Sequence, residues 1–187
     1  ATIGYSYQPD SVYALLERAG FSNGKGLPEV SLSTTAQYLD ICEYLQSQLA
    51  IFGIKIKVEV NQAATNNELI ANSKAQFFRK SWVADYPDAE NYLSLFKSEN
   101  FSPNGPNFTH FKSQQFDVWY DKALSEVNDS LRISLYRRMD SLVIEEAPVV
   151  PLFYDEVVRF TQPTISGLGV NPMNLLVLKY AKKPTEK

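Results

Sequence analysis

Between residues 79 and 92 the chain gathers a dense set of chemically capable side chains: Arg79, Lys80, Trp82, Asp85, Tyr86, Asp88 and Glu90. A cation, a broad flat aromatic ring and a carboxylate set close together are residue types suited to holding a small ligand, and Trp and Arg are enriched at recognition sites. The same residues admit other chemistry. Asp85 with Asp88 or Glu90 offers the acid and base of glycoside hydrolysis, which needs two carboxylates flanking one bond. Three acids within six residues do not specify that pairing. Calcium is a further possibility, but the spacing lacks the Asp-x-Asp-x-Asp-Gly loop. A purely structural reading also stands, with Trp82 in a core, Asp88 capping a helix beside Pro87, and Arg79 paired with Asp85.

Other chemistry has weaker support. His110 is the single histidine, and no Ser, Cys or second His stands at a motif spacing around it; a base needs a positioned nucleophile or partner, so a surface or hydrogen-bonded structural role is expected. Cys42, the single cysteine, falls with Leu39, Leu45 and Leu49 in a helical pattern and reads as a small core residue. One Cys and one His make no zinc ligand set. Neither Gly24-Lys25-Gly26 nor Gly167-Leu168-Gly169 has the helix-opening spacing of a phosphate loop. No cofactor, no metal and no catalytic residue is expected. The sequons at Asn107 and Asn128 carry no weight without a eukaryotic secretory context.

The elements that must position residues 79–92 follow from periodicity. Asp10 is placed to cap a helix carrying Val12, Leu15, Leu16 and Ala19, with Gly20 as its stop. Val30, Leu32 and Thr34 alternate with polar residues as a strand, and a helix runs from about Tyr38 to Phe52. Ile54, Ile56, Val58 and Val60 then alternate with Lys55, Lys57 and Glu59 as a second strand with one buried face. A weaker helix near 67–72 leads to a third strand over Ala75–Trp82. Strands alternating with helices imply a largely parallel sheet. In such sheets ligands sit beyond the carboxyl ends of the strands, which is where residues 79–92 emerge.

Downstream, Ala89–Lys97 reads as a short helix, and Asn100–Thr109, with Pro103, Gly105 and Pro106, as a surface loop. Two longer helices follow, one marked by Phe116, Tyr120, Ala123, Leu124 and Val127, the other by Ile133, Tyr136, Met139, Leu142 and Val143 before Pro148. The tail changes character, with short extended segments at Val149–Phe153 and Val157–Thr161, a Pro163/Gly167/Gly169/Pro172 loop and an apolar run Leu175–Leu178.

With 187 residues and 44% apolar content the chain can bury one real core. A net charge of −3 with interspersed signs offers no basic stripe, so no nucleic-acid partner is expected. The opening residues, Ala1–Tyr7, show no charged segment followed by an apolar one, and they run straight into a helix signal; the expectation is a piece of a longer protein.

The segment Trp82-Val83-Ala84-Asp85-Tyr86-Pro87-Asp88-Ala89-Glu90-Asn91-Tyr92-Leu93 closely resembles a stretch of the family-5 extracellular solute-binding proteins, which include oligopeptide- and dipeptide-binding proteins. Tyr7-Gln8-Pro9-Asp10 followed by Ala14–Phe21, the turn Gln46–Ile54, and Arg137-Arg138 followed by Glu145–Leu152 resemble further motifs of that family in the same order. The Pro87-Asp88-Ala89-Glu90 order departs from the Asp-Pro of many members, and relatives also bind oligosaccharides or metal chelates. The resemblance implies an α/β fold, a type II periplasmic-binding-protein-like lobe with a mostly parallel sheet flanked by helices. It places residues 1–156 in the second large lobe of a two-lobed protein and residues 157–187 in a segment crossing back toward an absent first lobe. It implies no enzymatic activity but capture of a peptide in the cleft between lobes for delivery to the transmembrane permease subunits of an ABC importer. The implied location is extracytoplasmic, periplasmic or on the cell envelope, with a lipid anchor carried by a preceding N-terminal segment in the latter case. Residue by residue, Asp85 matches the aspartate that holds a ligand's α-ammonium, Trp82 a tryptophan lining the cleft and Arg79 a cation that meets a ligand carboxylate. Tyr86, next in the motif, is counted with them.

Overall fold

The computed structural model describes residues 4–171, 173 and 175–184; Pro172 of the expected tail loop and the last three residues of the expected crossing segment lie outside the described residues. Helix α1 (Pro9–Arg18) begins with a proline whose missing N–H costs nothing in the first turn. Asp10 lies inside that first turn and is not the cap. Gln8 holds the cap position, and no side chain bonds the free N–H groups there. None of the α1 residues is fully buried; Tyr13 packs edge-on against Phe52 at 5.3 Å.

Strand β1 (Val30–Thr35), helix α2 (Leu39–Ala50), strand β2 (Ile56–Asn61), helix α3 (Ala63–Ala71) and strand β3 (Phe77–Phe78) form the sheet layer. The strands lie in the order β2-β1-β3 and all pairings are parallel, Val30 opposite Ile56 and Leu32 opposite Phe77. The third strand is far shorter than its expected span, because β1 offers only Leu32 and Ser33 as ladder partners before residue 79 turns away. Leu32, Cys42 and Ile56 make the sheet core, with Ile41, Leu49, Val58 and Phe77 packed on it. Cys42 has 0% exposure, as its helical pattern demanded. Val60, expected on the buried face, is exposed. The turn after α1 nests on the end of α2: Gly24 (φ +71) and Gly53 (φ +78) touch backbone to backbone, and a Cβ on either would strike the other segment's main chain.

A second core lies among helices α4 (Glu90–Leu93), α5 (Gln114–Ser125) and α6 (Asp129–Glu146). Ser113 caps α5 by accepting from the Phe116 N–H, and Asn128 caps α6 by accepting from Ser130 and Leu131. Leu93, Phe116, Tyr120, Ala123, Leu135, Met139 and Val143 fill this core. The buried stripe of α6 runs Leu135, Met139, Val143 at helical spacing, so Ile133, expected inside, falls off the stripe and is exposed. Leu124 and Val127 are likewise exposed, Val127 at 96%.

The expected surface loop at 100–109 is organised around an interior residue. Asn107 has 0% exposure; its Nδ2 donates to the carbonyls of Lys97 and Phe111, while its Oδ1 accepts from the Phe111 N–H and the Thr109 hydroxyl. His110 stacks on Phe101 at 4.7 Å and sets its Nε2 3.0 Å from the Ser102 carbonyl, in line with a structural histidine.

Among the described residues the short extended segments expected at 149–153 and 157–161 join no ladder of strands, so the tail is not rich in strands. A ladder needs a partner edge for its N–H and C=O groups, and only one bridge forms among the described tail residues, between Ser166 and Lys182. Tail apolar residues stand in solvent, Phe160 at 94%. No helix of the described residues is long and apolar enough to cross a membrane.

Candidate functional site

Because the strands are parallel, their carboxyl ends share one rim. Buried Ser33 on β1 donates to Asn66 Oδ1 of α3 at 2.8 Å and accepts from Asn61 Nδ2 of β2 at 3.0 Å, tying the connections there together. The main-chain N–H of Arg79 donates to the Ser33 carbonyl at 3.0 Å, extending the β3 pairing by one bond before the chain peels off.

Arg79, the first candidate, is half-buried. Its guanidinium carbon lies 3.1 Å from the centre of the Tyr38 ring, and Nη1 donates to Ser81 Oγ at 3.3 Å. The expected pair with Asp85 does not form: among the described residues no carboxylate lies within 4.0 Å of Arg79. Lys80 points to the other side of the strand. Its ammonium stands 4.0 Å over the Phe108 ring and donates to Asn67 Oδ1, and burial holds its pKa below the usual lysine value.

Trp82 is neither fully buried nor free. Its indole N–H donates to Asn91 Oδ1 at 2.8 Å, and the same oxygen accepts from the main-chain N–H of Asp85 at 3.2 Å. Asn91 has 4% exposure at the second position of α4. One interior amide thus fixes both the tryptophan and the aspartate backbone, while the Asp85 carboxylate is exposed and engages no hydrogen bond or ion pair among the described residues. Asn91 was within the motif but carried no charge to mark it; its signal was an amide between Glu90 and the Tyr92-Leu93 pair of a short helix turn.

The acids after Asp85 have other work. Asp88 accepts from the Glu90 N–H at 2.9 Å but is not the cap expected of it, since Ala89 holds that position without a side-chain bond; the Asp88 carboxylate also holds the Tyr136 hydroxyl of α6. Burial, then that bond, pushes the Tyr136 phenol up to about 12. Glu90 receives the hydroxyl of Tyr86 on one oxygen and that of Tyr120 on the other. The Glu90 bond raises the pKa of Tyr86, while burial, followed by Glu90, raises that of Tyr120. With both oxygens of Glu90 committed to phenols, the Asp85–Glu90 acid–base pair loses its second member. The hydroxyl of Tyr86 is turned to Glu90, so what this residue offers a ligand is its half-exposed ring. Among the described residues no group of three His, Cys, Asp or Glu converges as a metal site.

Beside Trp82 a shallow apolar depression of about 130 Å³ is walled by Phe78, Phe96, Phe108 and Val149. A larger hollow of about 270 Å³ lies in the tail, among Val157, Arg159 and Leu168, away from the strand ends.

A parallel sheet flanked by helices, with its loops collected at one rim, is the architecture of a type II periplasmic-binding-protein lobe. Residues 1–104 match the model of the bacterial extracellular solute-binding proteins, family 5 Middle, and the chain belongs to that family. It is 27% identical over 164 residues to the dipeptide-binding protein DppE of Bacillus subtilis, covering 86% of this chain and 30% of the relative. It superposes with a TM-score of 0.74 and 26% identity on the ABC transporter-associated periplasmic binding protein DppA from Helicobacter pylori, solved in complex with the peptide STSA, covering 79% of this chain and 29% of that one. A dipeptide-binding protein from a Pseudoalteromonas species, solved with Met-Leu, has the same fold at a TM-score of 0.75 and 24% identity, covering 95% and 36%. The chain spans about a third of the length of these relatives.

Proposed function

We propose that the chain is the ligand-gripping lobe of an extracytoplasmic substrate-binding protein that captures peptides for an ABC importer. The observation that carries this reading is the Asp85 carboxylate, exposed and unpartnered, on a loop whose backbone and neighbouring indole are fixed by buried Asn91. An acid held in place without a counter-charge is suited to a ligand's ammonium group, and Arg79 at the same rim is a cation suited to a carboxylate. The peptide-binding relatives support that ligand class. Residues up to 156 form the second large lobe, and the segment from 157 onward crosses to a first lobe that closes over the ligand. Main-chain hydrogen bonds grip the peptide between them, and the closed form, favoured by its differential contacts, is what the permease subunits receive. The site works outside the cytoplasm, in a periplasm or tethered by lipid to the envelope.

The test is made in the protein carrying both lobes. Truncating one partner of a buried charge pair costs ~2–5 kcal/mol, against under ~1 kcal/mol for an exposed surface acid. Asp85→Ala therefore weakens peptide binding at least ~30-fold, N-acetylating the peptide does the same to the wild type, and the two losses do not add, since both remove one contact. Equal binding of acetylated and free peptides by the wild type would show that Asp85 anchors no amine.

A further inference from the structure

Tyr38 ends the single 3-10 turn Ala36–Tyr38 that leaves β1, and β1 is the neighbour of β3 in the sheet. The residue just past one strand end therefore stands over the residue just past the other. The guanidinium of Arg79 lies on the Tyr38 ring, 3.1 Å from its centre, well inside the ~6 Å within which a cation feels a ring face. At that separation the planar group has to lie flat against the ring. The Tyr38 hydroxyl bonds no described residue, so what Tyr38 contributes here is its face. Stacking occupies the face of the guanidinium and leaves its edge, where the five N–H donors are. Ser81 takes one of them, and no carboxylate within 4.0 Å among the described residues takes another.

A half-buried cation with most of its donors unspent, held from moving by a ring and a hydroxyl, is a preorganised receptor for a planar anion. We infer that Tyr38 is a positioning residue of the ligand site: its ring sets the plane of Arg79 so that the guanidinium edge meets the carboxylate of the ligand. The inference rests on the ligand-binding role given to Arg79 above. It adds a residue from a different strand end, and it makes recognition of the carboxylate depend on a side chain that never touches it.

Two measurements test it. In this chain alone, ¹⁵N relaxation of the Arg79 Nε–H group reports its order: Tyr38→Leu should free the group, and Tyr38→Phe, which keeps the ring, should leave it as in the wild type. In the protein carrying both lobes, the readout is the ratio of affinities for a peptide with a free C-terminus and the same peptide amidated. Tyr38→Leu should cut that ratio about 5- to 30-fold, Tyr38→Phe should preserve it, and the effect of N-acetylation should be the same in all three proteins. A Tyr38→Leu loss that falls equally on free and amidated peptide would make Tyr38 a merely structural residue and overturn the inference. So would an unchanged ratio in Tyr38→Leu. A wild type that ignores amidation while still requiring Asp85 and a free amine would remove Arg79, and Tyr38 with it, from the site without touching the capture of the ammonium.

Discussion

The indole N–H of Trp82 and the main-chain N–H of Asp85 share a single acceptor, the Oδ1 of Asn91, at 2.8 and 3.2 Å. Five residues lie between Asp85 and Asn91, and across them the chain makes a tight excursion through Pro87 that this one amide closes. Asn91→Leu, which keeps the bulk and removes the acceptor, should cost ~1–3 kcal/mol in urea unfolding, the range for leaving interior donors unpaired. Trp82 emission should shift to the red as the ring loses its tether. An Asn91→Leu protein with wild-type stability and emission would mean that the loop is held by its acids alone.

Tyr136 and Tyr120 give stability a definite dependence on alkaline pH. Folding pushes the Tyr136 phenol up to about 12, through burial first and the bond to Asp88 second, and raises Tyr120 through burial and then Glu90. The unfolded phenols ionise near ~10. A group whose pKa rises on folding contributes stability that is complete below the unfolded value and is lost as pH climbs through the folded one. The urea midpoint should fall between about pH 10 and 12, and Tyr136→Phe should flatten that fall; identical slopes would exclude Tyr136 as its source.

Phe116 is the hub of the helical core, with 0% exposure and ring contacts to Phe96, Phe111 and Tyr120 at 6.3, 5.8 and 6.3 Å. Phe116→Ala should cost ~3–5 kcal/mol, whereas Val127→Ala, at a position 96% exposed, should change stability by less than ~0.5 kcal/mol. Chemical denaturation of the two variants checks the contrast. Similar losses would contradict the burial assigned to them.

Much of this was legible in the chain itself, and the limits have physical causes. Period-2 alternation located β1 and β2, and the 3.6-residue stripe located α2, α5 and α6, because each element buries one face. Alternation overstated β3, since ladder length depends on the neighbour and not on the strand's own residues. Asp10 looked like a cap because its type suits one, yet Pro9 had already begun the helix. In the site, the clustering of Arg79, Trp82, Asp85 and Tyr86 was visible, but their partners were not. Asn91, Tyr38 and Tyr120 come from one later turn, another strand end and a distant helix, and no spacing rule connects them. The roles of Glu90 and Asp88 went the same way: type announced two carboxylates, and only the fold shows that tyrosines hold them.

The tail should exchange its amide hydrogens fastest. Its described residues are largely exposed, and the single bridge among them pairs the Ser166 N–H with the Lys182 carbonyl at 3.1 Å and the Lys182 N–H with the Ser166 carbonyl at 2.8 Å. Those two amides should be slow relative to their neighbours, and addition of the proposed first lobe should slow residues 157–170 as a block. Strong protection there in this chain alone would make the segment integral to this lobe.

The parallel run of β1, β2 and β3 has a bearing on descent. Leu32, Cys42 and Ile56, which hold the sheet, lie back from the rim, while Tyr38, Asn61, Arg79 and Asp85 belong to the strand tips and the connections leaving them. Inherited changes in those tips and connections can therefore alter the chemistry of the rim while the sheet beneath is passed on intact. On the function proposed above, a change of ligand would need only a few codons at one edge, and in this chain residues 79–92 are where such rewriting would first be read.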